Sequence, residues 1–373
     1  MKQKNKSRRE FLKKSAMATT FLVGASSMAF GKDSKNNTQT TNTWDKTFVK
    51  SNKVEHKKVS FKNRYGITLV ADLYVPINSE NKKLSALVVS GPFGAVKEQV
   101  SGLYAQTIAE KGFVTLAFDQ SFTGESGGEN RNVASAEIFT EDYSAAVDYI
   151  GLLPFVNQEQ IGAIGICGLS GMALTAASAD TRIKAVVTSS MYDMSRSIAK
   201  GYQDSYTKEQ KLKIIDYLSK QRWEDAKNKE FAVGPHEISF DDNGNILKGN
   251  RILPKTLREN PNPVLKAFFD YYRTKRGFHP RSINSTTAWS ATTPVSFFQF
   301  PMYDNIKLIS PRPILLIAGE NAHSKYYSQD VYKIASKPKE LLIVPNANHV
   351  DLYDNLQKIP FDSIVEFFTK NLK

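Results

Sequence analysis

One cysteine, Cys167, occurs in 373 residues. A lone thiol cannot close an internal disulfide, so stability has to come from burial, and a chain of this length suffices for one large core. Long apolar runs are missing as well. After the first 31 residues nothing approaches the roughly 20 apolar residues that cross a bilayer, which argues against stable membrane insertion. Dense basic blocks are also scarce. The formal charge is +13, but residues 1–31 hold seven Lys/Arg and one Glu, a net of +6, leaving +7 spread over the remainder. Such a thin excess does not build a nucleic-acid surface; it describes a solvated, mildly basic exterior.

The N-terminal stretch is distinctive. Ser7-Arg8-Arg9-Glu10-Phe11-Leu12-Lys13 matches the twin-arginine export pattern, and a mildly apolar stretch rich in Ala, Ser and Thr runs from Ser15 to Gly31. Ala29-Phe30-Gly31 has the small-x-small form of a cleavage site. Residues 1–31 therefore read as a removable address recognised by the twin-arginine machinery, with a periplasmic or secreted mature chain. Residues 32–54 are polar and aperiodic, the composition of a flexible tether.

From there strands and helices alternate. Strands are predicted at His56–Phe61, Ile67–Pro76, Leu84–Ser90, Phe113–Asp119, Ile161–Ile166, Ile183–Ser189, Ile314–Ala318 and Glu340–Val344. Helices are predicted at Val100–Lys111, Ala134–Leu152, Gly171–Ala179, Tyr326–Ile334 and Phe361–Asn371. Near-continuous apolar strands alternating with helices indicate a mostly parallel sheet covered on both faces. The alternation breaks between about 194 and 307, where charge and aromatics rise and helices Lys208–Asn228 and Pro263–Lys275 are expected. That stretch reads as a helical cap inserted between two core strands. Its aromatics (Tyr202, Tyr206, Trp223, Phe268, Phe269, Tyr271, Tyr272 and Trp289) are either pocket lining or core.

The cysteine lies in Gly165-Ile166-Cys167-Gly168-Leu169-Ser170-Gly171, directly after an apolar strand. A strand that turns sharply into a helix needs small residues around the turn and projects the intervening side chain, the arrangement of the nucleophile elbow in α/β hydrolases. A thiol there faces a helix N-terminus, which predicts a shift toward the reactive thiolate. The usual Gly two positions later is Leu169. Ser170, the alternative nucleophile, falls a turn into the helix. His349, in the loop after the last strand, is placed to reach the thiol as a base, and His323 sits nearby. The acid is less defined: the expected Asp position holds Ala322, leaving Glu320, or Asp193 after an earlier strand, to orient His349. The backbone N–H groups of Gly168 and Phe93, the latter in Gly91-Pro92-Phe93-Gly94-Ala95, are the expected oxyanion donors.

Residues 91–99 (GPFGAVKEQ), Phe118-Asp119 with Gly124-Glu125-Ser126-Gly127-Gly128, the cysteine-bearing elbow, Asp180–Ala185 and His349–Asp354 together resemble the dienelactone-hydrolase-like branch of the α/β hydrolases. The resemblance spans about Val59 to Leu372. It implies an eight-stranded α/β-hydrolase sheet, a Cys or Ser nucleophile with a histidine and an acid, and neither metal nor organic cofactor. The expected partner is a small-molecule acyl substrate. The leading expectation is hydrolysis of a carboxylic ester, lactone or thioester through an acyl-enzyme. Peptide or amide hydrolysis on the same fold is the second, and a non-catalytic binding protein retaining the fold is the third.

Overall fold

The central strands are unbroken runs of apolar residues because helices cover them on both sides. In the computed structural model, which describes residues 44–77, 83–249 and 252–373, eight strands form one sheet. They are β1 (Val54–Lys62), β2 (Thr68–Pro76), β3 (Leu84–Ser90), β4 (Val114–Phe118), β5 (Val156–Ile166), β6 (Ile183–Ser189), β7 (Ile314–Gly319) and β8 (Lys339–Val344). Their order is β1-β2-β4-β3-β5-β6-β7-β8. β2 pairs antiparallel with β1 and with β4, and every other pairing is parallel. Leu87, Val88 and Val89 of β3 are all fully buried. Each such side chain contributes about 1.5–3 kcal/mol of hydrophobic stabilisation.

Among the described residues ten helices flank and cap the sheet: α1 (Val100–Ala109), α2 (Ala136–Gly151), α3 (Leu169–Ala179), α4 (Met194–Lys200), α5 (Lys208–Asn228), α6 (Pro263–Tyr272), α7 (Pro294–Gln299), α8 (Lys325–Ile334), α9 (Asp351–Asp354) and α10 (Phe361–Asn371). α10 lies close because β5 carries Gly162: a Cβ there would stand 2.5 Å from the Phe368 ring and 2.8 Å from Leu87. The strands and helices follow the predicted pattern, with β5 starting five residues earlier, at Val156.

The expected insertion lies between β6 and β7 and holds α4 to α7. α5 begins with a capping box from Thr207 and Gln210, and α6 with an Asn262 cap followed by Pro263. Of the aromatics singled out there, Trp223 is exposed, whereas Tyr271 and Trp289 are core. Tyr206 packs with Ile214 and Leu218 under α5.

The expected export segment and the first part of the expected tether, residues 1–43, lie outside the described residues. The second part of the tether is not free chain. Its two aromatics, Trp44 and Phe48, pack on the core, and Phe48 sits against Gly102, where a Cβ would come within 2.9 Å of the ring. Thr47 N–H donates to Glu98 O at 2.9 Å, and Lys46 pairs with fully buried Asp72 at 2.8 Å. The polar composition of 44–53 concealed two aromatics whose burial outweighs chain entropy.

Candidate active site

β5 ends at Ile166 and α3 begins at Leu169, so Cys167 occupies the turn between them with φ +54°. A side chain in that left-handed region is strained by about 1–3 kcal/mol. The surroundings hold it there. Cys167 N–H donates to Ser189 O at 2.9 Å, and its carbonyl accepts from Ser170 N–H at 3.1 Å and Tyr192 N–H at 3.0 Å. The flanking glycines are required. A Cβ on Gly165 would stand 2.5 Å from the Ser170 Cα, and one on Gly168 would stand 2.6 Å from the Phe93 Cβ. Leu169 is accommodated because its side chain points into the core, 2% exposed. Ser170, inside the helix and fully buried, spends its hydroxyl on Gly165 O at 2.8 Å.

Three groups meet the Cys167 sulfur: the Tyr353 hydroxyl and the backbone N–H groups of Gly168 and Phe93. The two N–H groups are those expected as oxyanion donors. Phe93 is held in place by the loop that follows it. Lys97, fully buried, binds Glu98 at 2.6 Å, Asp119 at 3.1 Å and Glu125 at 2.5 Å. Burial opposes its charge, but the carboxylates of Asp119 and Glu98 outweigh that and hold the ammonium above its ordinary range. Arg281 of the cap reaches Glu98 at 2.7 Å, tying the insertion to the same network.

The thiol is not the activated thiolate that the helix N-terminus suggested. Burial dominates and pushes Cys167 up to about 11, against smaller downward pulls from Tyr353, Gly168 and Phe93. Desolvation of the buried thiol outweighs the half-charge of a helix dipole. Because Cys167 is the sole cysteine, alkylation reports on it alone. Iodoacetamide labelling of the folded protein should therefore rise about tenfold per pH unit from about pH 7 to 10 without levelling. A plateau by about pH 8 would show a thiol whose burial is overcome.

His349 follows β8 and is 1% exposed. Its carbonyl accepts from Ser190 Oγ at 2.9 Å. Its Nδ1 meets Ser324 Oγ at 2.6 Å, and its Nε2 meets the Tyr353 hydroxyl at 3.0 Å. Two expectations are corrected here. The imidazole reaches the thiol through Tyr353 rather than directly. Nor, among the described residues, does a carboxylate orient it. Glu320 is exposed and accepts from Asn346 N–H at 2.9 Å, bracing the two loops after β7 and β8. Asp193 caps α4 through Arg196 N–H at 2.8 Å, and burial pushes its carboxyl up to about 6. With Ala322 in the family's acid position, the hydroxyl of Ser324 two residues on faces the ring.

Burial, assisted by the neighbouring His323, holds the His349 imidazole well below its ordinary value. The two rings lie 5.1 Å apart. His323 contacts the Tyr192 hydroxyl at 2.5 Å and is itself lowered to about 4 by burial. The ground state at neutral pH is thus a neutral thiol beside a neutral tyrosine and a neutral imidazole.

Cys167 and Tyr353 open into a cavity of about 780 Å³. Its walls include Phe93, Met194, Tyr202, Ile252, Leu265, Phe268 and Tyr272, with His236, Glu237 and His323 among them. Residues of the cap and of the sheet loops line it together. Among the described residues no group of three or more His, Cys, Asp and Glu is gathered to hold a metal. Sequence reasoning missed Ser324, Tyr353 and Glu237. Tyr353 carried a signal, since its four-residue spacing from His349 puts both on one face of a helical turn. Ser324 and Glu237 carried none.

Known proteins resemble this chain to different degrees. Residues 65–233 match the family described as X-Pro dipeptidyl-peptidase (S15 family). The chain is 58% identical over 334 residues to the uncharacterized protein PA2218 of Pseudomonas aeruginosa, covering 90% of this chain and 85% of that one. The PA2218 crystal structure superimposes with a TM-score of 0.83 at 57% identity, covering 90% of this chain and 99% of that one. The uncharacterized protein YcjY of Escherichia coli is 35% identical over 303 residues, covering 80% and 93%. The α/β hydrolase GrgF of a Penicillium species has the same fold, with a TM-score of 0.68 at 20% identity over 85% of this chain and 99% of that one. GrgF, described as a polyketide transferase, is 30% identical over a shorter stretch of 129 residues, 35% of this chain and 42% of that protein. The chain therefore belongs to one family with PA2218 and YcjY, and its fold is that of the α/β hydrolases.

Proposed function

We propose that this protein transfers acyl groups from esters or thioesters through a covalent thioester on Cys167. The observation that carries the reading is the convergence on one sulfur of two backbone N–H donors and a tyrosine hydroxyl, at the floor of an aromatic cavity. With Nε2 of His349 accepting from Tyr353, the ring carries its proton on Nδ1 toward Ser324. As the sulfur attacks the carbonyl carbon, the thiol proton passes to the Tyr353 oxygen and the Tyr353 proton passes to Nε2. The C–S bond forms, and the carbonyl electron pair moves onto oxygen, facing the N–H groups of Phe93 and Gly168. Collapse breaks the bond to the leaving alkoxide or thiolate, which recovers the proton from the imidazolium. A water or other acceptor then repeats the sequence, losing its proton by the same route while the C–S bond breaks and sulfur is reprotonated.

Esters, lactones and thioesters fit better than peptides. Expulsion of an amine requires a well-stabilised imidazolium to protonate it. Here burial disfavours the imidazolium, and a hydroxyl rather than a carboxylate stands behind it. The name of GrgF supports an acyl-transferring role. The S15 match keeps peptide hydrolysis as the competing reading.

Incubation with an aryl thioester, followed by acid quench and intact-mass measurement, tests the proposal. The expected result is one acyl adduct per chain, mapped to the peptide containing Cys167 and absent from Cys167→Ala. Turnover of a dipeptide anilide with no thioester adduct would overturn it.

A further inference from the structure

The cavity is charged against the grain of the molecule. The chain has 50 Lys/Arg and 37 Asp/Glu, yet among its described lining residues the cavity holds no lysine or arginine and one carboxylate, Glu237. Glu237 comes from the cap segment between two short strands, 233–234 and 239–240. One of its oxygens accepts from Ser197 Oγ. Among the described residues it makes no ion pair with a lysine or arginine. The titratable groups around it do not compensate either. His236 and His323 are driven toward their neutral forms by burial, and Tyr192, Tyr206 and Tyr327 are neutral phenols raised in part by its charge. A half-buried carboxylate without a cation is an unfinished interaction.

The same cavity also offers the other ingredient of an organic-cation site. Phe93, Tyr202, Phe268 and Tyr272 present aromatic surface in the same cavity, and aromatic faces attract organic cations. The nearby thiol senses Glu237, whose charge disfavours the thiolate. A bound cation would relieve that pressure, while a second anion would add to it.

We infer that the cavity selects acyl compounds bearing an organic ammonium group, which Glu237 and the surrounding aromatic rings hold while the acyl carbon meets Cys167. This rests on the reading of the cavity as an acyl-transfer site. An anionic acyl group is the disfavoured case.

Three thiophenyl esters of matched length test it: γ-trimethylammoniobutanoyl, its neutral tert-butyl isostere dimethylhexanoyl, and glutaryl. With the full chain, kcat/KM should fall in that order, the ammonium ester exceeding its isostere by about tenfold, expressed in KM. In Glu237→Gln the ratio between ammonium ester and isostere should collapse to within about twofold. Equal turnover of the isosteres by the unaltered protein, or a preference that survives in Glu237→Gln, would overturn the inference and leave acyl transfer standing. Calorimetric binding of the three matching amides to Cys167→Ala, with and without Glu237→Gln, reads the same selection independently of chemistry. Absence of turnover with all three esters would strike the acyl-transfer reading, while the amides would still rank or fail to rank by charge.

Discussion

Cys167→Ala should lower kcat/KM for short-chain aryl esters by about 10⁴-fold or more, to the level set by binding and the oxyanion donors alone. Ser170→Ala should change it by less than about fivefold, because the lost hydrogen bond is worth about 1 kcal/mol of stability and lies outside the cavity. The contrast follows from position. Cys167 stands in the strained turn, where its sulfur meets Tyr353, Gly168 and Phe93. Ser170 is a turn further on, fully buried, with its hydroxyl committed to Gly165 O. Steady-state kinetics on both variants, with thermal melts to show that each is folded, makes the comparison. A silent Ser170 variant beside an active Cys167 variant would reverse the assignment of the nucleophile.

His349→Ala and Tyr353→Phe should each cost about 10³-fold in kcat, with KM little altered, if the proton travels through the phenol. The expectation for the tyrosine is specific to this site. It arises because the Tyr353 hydroxyl contacts both the Cys167 sulfur and His349 Nε2, the latter at 3.0 Å. Phenylalanine keeps the ring among Tyr271, Tyr272 and Phe268 and so preserves the packing. It removes only the bridging oxygen. Near-normal turnover in Tyr353→Phe, with His349→Ala inactive, would mean that the imidazole reaches the sulfur directly during the reaction. The pH profile separates the cases further. Because burial, with His323 beside it, lowers His349, the acid limb of kcat/KM should lie on the acid side of an ordinary histidine's titration.

Much of the scaffold is legible in the sequence. The elbow glycines could be read because a strand-to-helix turn this tight excludes a Cβ, as Gly165 and Gly168 show at 2.5 and 2.6 Å. The approach of the Phe93 loop to Cys167 could be read because Phe93 follows a strand that ends at the same edge of a parallel sheet. The tether was misjudged at 44–53, where two aromatics in a polar stretch bury against distant elements. The acid was misjudged at Glu320 and Asp193. Both sit in the right loops, but each carboxylate is captured by a local backbone N–H group, Asn346 in one case and Arg196 in the other.

The sequence by itself determined the strand and helix succession, the parallel sheet and the place of the sulfur in it. Local patterning and steric limits on a single turn suffice for those. Only the tertiary structure decided that a phenol stands between sulfur and imidazole, that a serine replaces the acid, and that the thiol is raised rather than lowered. Each depends on which residues from separate loops meet, and on how thoroughly the cap and sheet exclude water from them. A dielectric environment and a hydrogen-bond partner are properties of the assembled interior, and no run of neighbouring residues encodes them.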